Sequence, residues 1–380
     1  MNYRQFHISA EKLEPIEAMA TGIATASSQQ EVFRALLLFA SYTTPGRAIF
    51  ITLYTPSTGL RKCMYAGEII EGDDGRRVIE EADIHMYPEL PLNTSPQSRA
   101  ILSGTFFIAN DYDKSVAGLP VTDSGSDMSK DLPRSSLAIP LGFEGRTRGA
   151  LEIQSPALSA FDESHVPPLS LAASLAVTAL ENLDLMERER AQHEATLRTL
   201  GLALEYRDYE TKGHTDRVVR LSVAFAHALG LNDAETNALR WGAYLHDLGK
   251  VALPDQILLK PGRLSASEYQ VIRRHTLIGI DMCRDIPFLE TGTRDVIRSH
   301  HERWDGRGYP DQLAGDQIPL LARIFSLVDV YDALISRRPY KDAWPHERAL
   351  AEIRDNSEIQ FDPKLLETFV RVAAARDLEN

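Results

Sequence analysis

The sequence is short of cysteine, of basic charge and of long apolar runs. Its 380 residues hold two cysteines, Cys63 and Cys283. They stand far apart and outside any CxxC context, which excludes a disulfide framework and points to a reducing compartment. Lys and Arg number 41 against 54 Asp and Glu, a formal net charge of −13. That deficit argues against a nucleic-acid polymer as partner, because sequence-independent binding needs a basic surface. A small phosphate ligand is still allowed, since local cations or a metal site in a cleft suffice for it. The longest apolar stretch, Pro168 to Leu180, is interrupted by Ser170, Ser174 and Thr178. It falls short of the ~20 residues that span a bilayer. Met1 to Pro15 shows no apolar run behind a basic cluster, so no signal peptide is expected. The expectation is a cytoplasmic protein with no membrane contact.

What is present is ordinary globular composition, 43% apolar and 25% charged, with length enough for two domains. The first half alternates elements. Leu13 to Ala24 and Gln30 to Ala40 have helical apolar spacing. Arg47 to Tyr54 is rich in β-branched and aromatic residues and predicts a strand, closed by the turn residues Pro56 to Gly59. Ser135 to Leu141 and Gly149 to Gln154 predict two more strands joined by a hairpin-like connection. Asp111 to Arg134 is polar and reads as a loop, and a long helical pattern begins after Asp162. Ile139-Pro140-Leu141, Gly149 to Ile153, Phe161-Asp162 and Leu169 to Leu183 resemble the closing strands and helix of a GAF domain. The resemblance covers roughly residues 12–185. It implies an α/β fold with an antiparallel sheet flanked by helices, and a sensor that takes a small-molecule ligand or only dimerises.

From Leu183 one seam runs through Met186, Arg190, His193, Leu197, Leu200 and Leu204. Steps of three and four are the coiled-coil period. A helix packed on its own domain has the same spacing, so the seam leaves a homodimer and a simple amphipathic helix both open. Beyond Leu200 strand-like runs nearly vanish. Arg217 to Leu229, Ala234 to Asp247, Ala266 to Arg284, Thr293 to Arg303, Leu320 to Leu334, His346 to Asn356 and Pro363 to Ala374 predict an all-α bundle. The expected division is residues 12–183 for the sensor, 184–204 for a linker helix and 205–380 for the bundle.

Five of the 11 histidines fall in one set in that second half: His214, His246, His275, His300 and His301, joined by Asp247 and Asp329. A lone His-Asp pair is most often a cap or a salt bridge. This many histidines beside carboxylates form the donor mix of Fe, Mn or Zn. Two such ions ~3.5–4 Å apart can generate hydroxide and clamp a phosphate, and Asp247 suits the bridging place. Phosphoester hydrolysis is the chemistry that follows.

His300 to Pro310 reads HHERWDGRGYP. With His246-Asp247-Leu248-Gly249-Lys250, Lys260-Pro261-Gly262, His275 and Gly279, Asp329 to Leu334, Arg338-Pro339-Tyr340 and Phe361-Asp362-Pro363, it resembles the HD-GYP family of cyclic di-GMP phosphodiesterases over about Leu200 to Val372. The resemblance implies metal ligation by His214, His246, Asp247, His275, His300, His301 and Asp329. It implies catalytic places for Asp247 and Lys250, with Lys250 near the scissile phosphate. Contacts to the cyclic dinucleotide are implied for Lys250, Tyr309, Asp332, Ala333, Arg338 and Lys341. Two or three divalent transition-metal ions are implied, iron first and manganese second. Glu210, four residues before His214, matches relatives in which a carboxylate helps to hold a third ion, and a third ion would allow cleavage beyond pGpG to GMP. The Gly-Tyr-Pro loop implies a GGDEF-type cyclase as a partner. Many relatives have an acid before Arg338-Pro339, where this chain has Arg337, which bears on substrate entry. A cyclic di-GMP receptor without turnover, or a phosphodiesterase for another cyclic dinucleotide, stand as the alternatives.

Overall fold

The β-branched run after Arg47 becomes the centre of an antiparallel sheet in the structure, a computed structural model that describes residues 10–71, 77–111, 133–143, 146–208, 213–337 and 342–377. The chain divides into two compact units, Met1–Arg188 and Glu189–Asn380. In the first, helices α1 (Ala10–Ala24) and α2 (Gln29–Thr43) precede strands β1 (Ala48–Thr55), β2 (Leu60–Glu71), β3 (Arg77–Glu81) and β4 (Leu90–Pro91). Helix α3 (Pro96–Ser103), strands β5 (Phe107–Ala109), β6 (Ser135–Phe143) and β7 (Arg146–Ser155), and helix α4 (Val166–Glu205) follow. The strands lie in the order β3-β2-β1-β7-β6-β5, all antiparallel, with β4 on β2. Pro140 sits in β6, yet β5 pairs only as far as Ala138, so its missing N–H falls where β6 has lost one neighbour.

Strand alternation sorts the two faces of this sheet. Ile49, Ile51, Leu137, Ile139, Leu151 and Ile153 face one way and are fully buried, packed with Phe33, Leu36 and Leu37 of α2 and Leu169, Ala173 and Val177 of α4. Each such side chain contributes about 1.5–3 kcal/mol by leaving water. Ala138 and Ala150 face the other way under Ala100 and Ile101 of α3. The expected α/β architecture, a sheet flanked by helices, is therefore present. The loop expected over Asp111 to Arg134 lies almost wholly outside the described residues.

One continuous helix, α4, covers both the end of the first unit and the expected linker. Among the described residues one helical stretch, Glu163–Glu205, is long and apolar enough to cross a membrane by length and composition, with 33% of its most apolar window buried. The expected seam along it is split. Leu183 packs against the core of the first unit. Leu197 and Leu204 are buried, Leu197 in the core of the second unit, while Met186 and Leu200 are exposed. The His193 ring stacks on Phe288 at 3.8 Å with an interplanar angle of 5°. The 3–4 spacing is thus satisfied in part by the chain's own packing, and a partner helix is not needed to explain it.

The second unit is helical, as expected. It comprises α5 (His214–Leu229), α6 (Asp233–Leu245), α7 (Asp255–Leu258), α8 (Ala266–Arg273), α9 (His275–Met282), α10 (Thr291–Ser299), α11 (Leu320–Ile335), α12 (His346–Asp355) and α13 (Pro363–Asp377). Phe225, Leu239, Ile297, Phe325 and Phe369 are at or near zero exposure in its core. The stretch Ala266 to Arg284, expected as one helix, breaks at Arg274 into α8 and α9. The break lets the start of α9 meet the 3₁₀ turn Leu248–Ala252. A Cβ on Gly249 would stand 1.9 Å from the His275 carbonyl oxygen, so only glycine permits this approach. Close packing here brings Asp247 beside His275.

Candidate metal centre

Helix ends and one helix face deliver the predicted ligands. His214 opens α5, His246 follows the last residue of α6, and Asp247 stands at the entrance of the 3₁₀ turn. His275 opens α9, His300 caps α10 with His301 next to it, and Asp329 lies on α11. Their donor atoms gather into two groups. Asp247, His275, His300 and His301 form one, and His214, His246 and Asp329 form the other, with the donor atoms of each group within 4.8 Å of one another. Asp247 faces both. Its Oδ1 is 3.2 Å from His275 Nε2 and 3.9 Å from His300 Nε2, while Oδ2 is 3.2 Å from His246 Nε2. His214 Nε2 lies 3.9 Å from Asp329 Oδ1.

The rings are held from behind. His246 Nδ1 is 2.9 Å from the Ala243 carbonyl, His275 Nδ1 2.7 Å from Ile272 O, and His300 Nδ1 3.0 Å from Val296 O. A nitrogen at that distance from a carbonyl oxygen carries the proton and donates it. Each Nε2 therefore turns its lone pair into the centre, the tautomer a metal ligand needs. His275 Nε2 and His300 Nε2 then face each other at 3.4 Å as two acceptors. Neutral imidazoles of this tautomer cannot bond each other in that arrangement, and a cation between them resolves it. Protonation is the poor solution. Burial pushes His300 well below the ordinary histidine value, pushes His275 down as well, and takes His301 down to about 3. Burial alone would raise Asp247, but the Lys250 ammonium holds it well below the usual carboxylate range. The residues fit divalent ions, and the mixture of imidazole and carboxylate donors suits a borderline transition metal.

Lys250 extends its ammonium to Asp247 Oδ2 at 2.5 Å and to Asp208 Oδ2 at 2.9 Å. It is thus tied to the carboxylate that faces both groups. Tyr309 lies with its ring centroid 4.7 Å from that of His301, and the Arg273 guanidinium covers the ring at 4.5 Å. Glu302 fixes the loop that carries it by accepting the amides of Asp311 at 2.7 Å and Leu313 at 3.1 Å. Gly308 is required there, since a Cβ would meet Glu302 Cα at 2.5 Å. Ala333 is half-buried beside Asp332 on α11. Glu210, Arg338 and Lys341 lie outside the described residues.

Asp332, expected to contact the cyclic dinucleotide, is turned to protein partners in the structure. It is 3% exposed, and its oxygens are engaged by His214 Nδ1 at 2.7 Å and by Arg217 Nε at 2.7 Å and Nη2 at 2.9 Å. These bonds orient His214, the same service that carbonyls perform for the other histidines. The reason is helical geometry: Asp329 and Asp332 are three apart on α11 and share a face, so one reaches the centre and the other reaches behind it. Asp208 and Arg217 were missed as partners of the site. Their signal was an acid and a base flanking His214 in sequence.

Comparison with known proteins agrees with this geometry. Residues 199–365 match the family model of the HD domain. The second unit thus carries an HD domain over those residues. The cyclic di-GMP phosphodiesterase response regulator RpfG of Xanthomonas campestris is 42% identical over 190 residues, 50% of this chain and 49% of that protein. The 3'3'-cGAMP-specific phosphodiesterase 2 of Vibrio cholerae is 39% identical over 188 residues, 49% of this chain and 36% of that protein. The chain thus spans half or less of the length of these curated relatives. A solved GAF domain from an Acinetobacter phosphoenolpyruvate-protein phosphotransferase overlays with a TM-score of 0.37 and 12% identity, over 47% of this chain and 97% of that one. That overlay is too loose to argue from.

Proposed function

We propose that this chain hydrolyses cyclic di-GMP to linear pGpG with divalent metal ions held by the two ligand groups. The observation that carries the reading is Asp247, one buried carboxylate facing both groups. Bound ions would activate water near neutral pH and neutralise phosphate charge. Asp247, His275, His300 and His301 would hold one ion, and His214, His246 and Asp329 the other, with Asp247 shared. Lys250, paired with Asp247, would offset charge developing on the phosphate. Iron is the proposed metal, with manganese able to replace it, on the donor set. Glu210 is proposed to help hold a third ion. That idea is lost if wild type and Glu210→Ala bind the same number of ions per chain. The N-terminal unit is proposed to regulate turnover.

The test is direct. Chain purified without oxygen and loaded with Fe(II) or Mn(II) should convert cyclic di-GMP to pGpG on chromatography. Metal-replete chain that binds the dinucleotide and leaves it intact over hours would make it a receptor instead. A second substrate belongs in the same assay. Because the relative from Vibrio cholerae is named for 3'3'-cGAMP, a mixed guanine–adenine cyclic dinucleotide should be run beside cyclic di-GMP. Faster turnover of the mixed ring would reassign the substrate and leave the chemistry unchanged.

A further inference from the structure

The first residue of α5 is a predicted ligand, and the start of that helix has no cap of its own. His214 follows Gly213, which holds a φ of +85° and has no side chain to offer. A helix start leaves backbone N–H groups without partners and carries partial positive charge. Here the partner comes from the end of another helix. Glu205, the last residue of α4, is 8% exposed, and its carboxylate accepts the Gly213 N–H through Oε1 and the Thr215 N–H through Oε2 at 3.0 Å. These two amides bracket His214 in sequence. Thr215 Oγ1 adds a bond to the Gly201 carbonyl one turn earlier on α4.

His214 is therefore fixed twice. Asp332 holds its ring from one side, and Glu205 holds its backbone from the other. The residues just past Glu205 reach the same neighbourhood. Arg207 bonds the Leu253 carbonyl at 3.1 Å and Asp255 at 2.8 Å, and Asp208 pairs with Lys250. Glu205 itself cannot join the ligands, because both of its oxygens are turned to backbone amides.

We infer that Glu205 is a positioning residue: by capping α5 it sets the place of His214, and so the affinity of the His214, His246 and Asp329 group for its ion. The inference rests on the metal reading above. An ion ligand displaced by a fraction of an ångström loses affinity, and losing a residue that orients a ligand costs about 10–100-fold in metal binding. No part of the Asp247, His275, His300 and His301 group is held by Glu205, so the effect should fall on one group of ligands.

The experiment titrates metal-free chain with Mn(II), followed by electron paramagnetic resonance, together with hydrogen exchange on the peptide that spans Gly213 to Arg217. Glu205→Ala should bind one fewer Mn(II) at a concentration that saturates wild type. It should regain that ion at about 10- to 100-fold higher metal. The Gly213 and Thr215 amides should exchange faster in the metal-free variant. Glu205→Gln, which keeps an acceptor oxygen for one amide, should fall between the two, and it serves as the deciding variant if Glu205→Ala does not fold. Arg198→Ala removes an exposed ion pair to Asp216 from the same helix and should titrate as wild type. Wild-type Mn(II) binding and wild-type exchange in the folded Glu205 variants overturn the inference alone. A wild-type chain that binds no Mn(II) overturns the metal reading instead.

Discussion

Both units bury polar side chains, and they do so in opposite ways. In the sheet unit, Glu152 is 2% exposed, and its Oε1 accepts Gln154 Nε2 at 3.1 Å. Nearby, Gln97 Oε1 accepts from Thr52 Oγ1 at 3.0 Å and from Arg61 Nη1 at 2.6 Å. In each of these contacts a donor meets an acceptor. In the helical unit, lone pairs of His275 and His300 point at each other, and the buried Asp247 Oδ1 has no hydrogen-bond donor among the described residues. Buried acceptors that face acceptors are costly unless a cation lies among them. Contacts that pair donor with acceptor are structural; facing acceptors that need an outside charge make a site.

The comparison breaks most sharply at Asp247. Asp247→Ala should abolish turnover and most bound metal, measured by product chromatography and metal analysis, while circular dichroism shows the helices intact. Helix packing, not the ligands, supplies most of their stability. Normal metal content in this variant would contradict the bridging place.

Removing metal should separate the units next. With metal at about a thousand times its Kd, binding adds ~4 kcal/mol to the unit that holds it. A chelator should lower the unfolding midpoint of the helical unit and leave that of the sheet unit unchanged. Calorimetry on the full chain reads both transitions.

Asp332→Asn is expected to be milder. If Asp332 orients His214, metal affinity should fall about 10–100-fold while KM at saturating metal stays near wild type. A raised KM with normal metal affinity would restore the substrate-contact reading.

Glu152→Gln probes the cluster of the sheet unit and should have the smallest effect. Burial raises the folded carboxyl above its ordinary value of 4.5. The unfolded chain therefore ionises first, and wild type loses stability as pH rises from about 4.5 toward the folded value. The glutamine variant has no such loss. Its melting midpoint should exceed that of wild type at pH 8, and the gap should shrink as pH falls toward 4.5. A gap that widens on acidification would show that the acid stabilises the fold in its ionised form.

Much of this was legible in the sequence where one residue type gathers or an apolar period repeats. The histidine set and HHERWDGRGYP located the centre, and apolar periodicity located most helices of the second unit. The described strands β2 to β5 and helix α3 were not foreseen. Strand β2 (LRKCMYAGEIIE) mixes charge and apolar residues without clean alternation, because its first half and its last residues are partly exposed. The break at Arg274 was invisible because its cause, the approach of Gly249 to His275, lies in another segment. Asp329 and Asp332, expected as metal ligand and substrate contact, share one face of α11. Which of the two faces the ions depends on where His214 stands, and Glu205 of α4 takes part in fixing that.

The central claim is that the buried histidines and Asp247 form one two-part cation site. Anomalous X-ray scattering from crystals grown with Fe(II) or Mn(II) tests it most directly. The account predicts one peak among Asp247, His275, His300 and His301, and a second among His214, His246 and Asp329, with the Asp247 carboxylate between them. Crystals grown with metal in which either group shows no peak would contradict it.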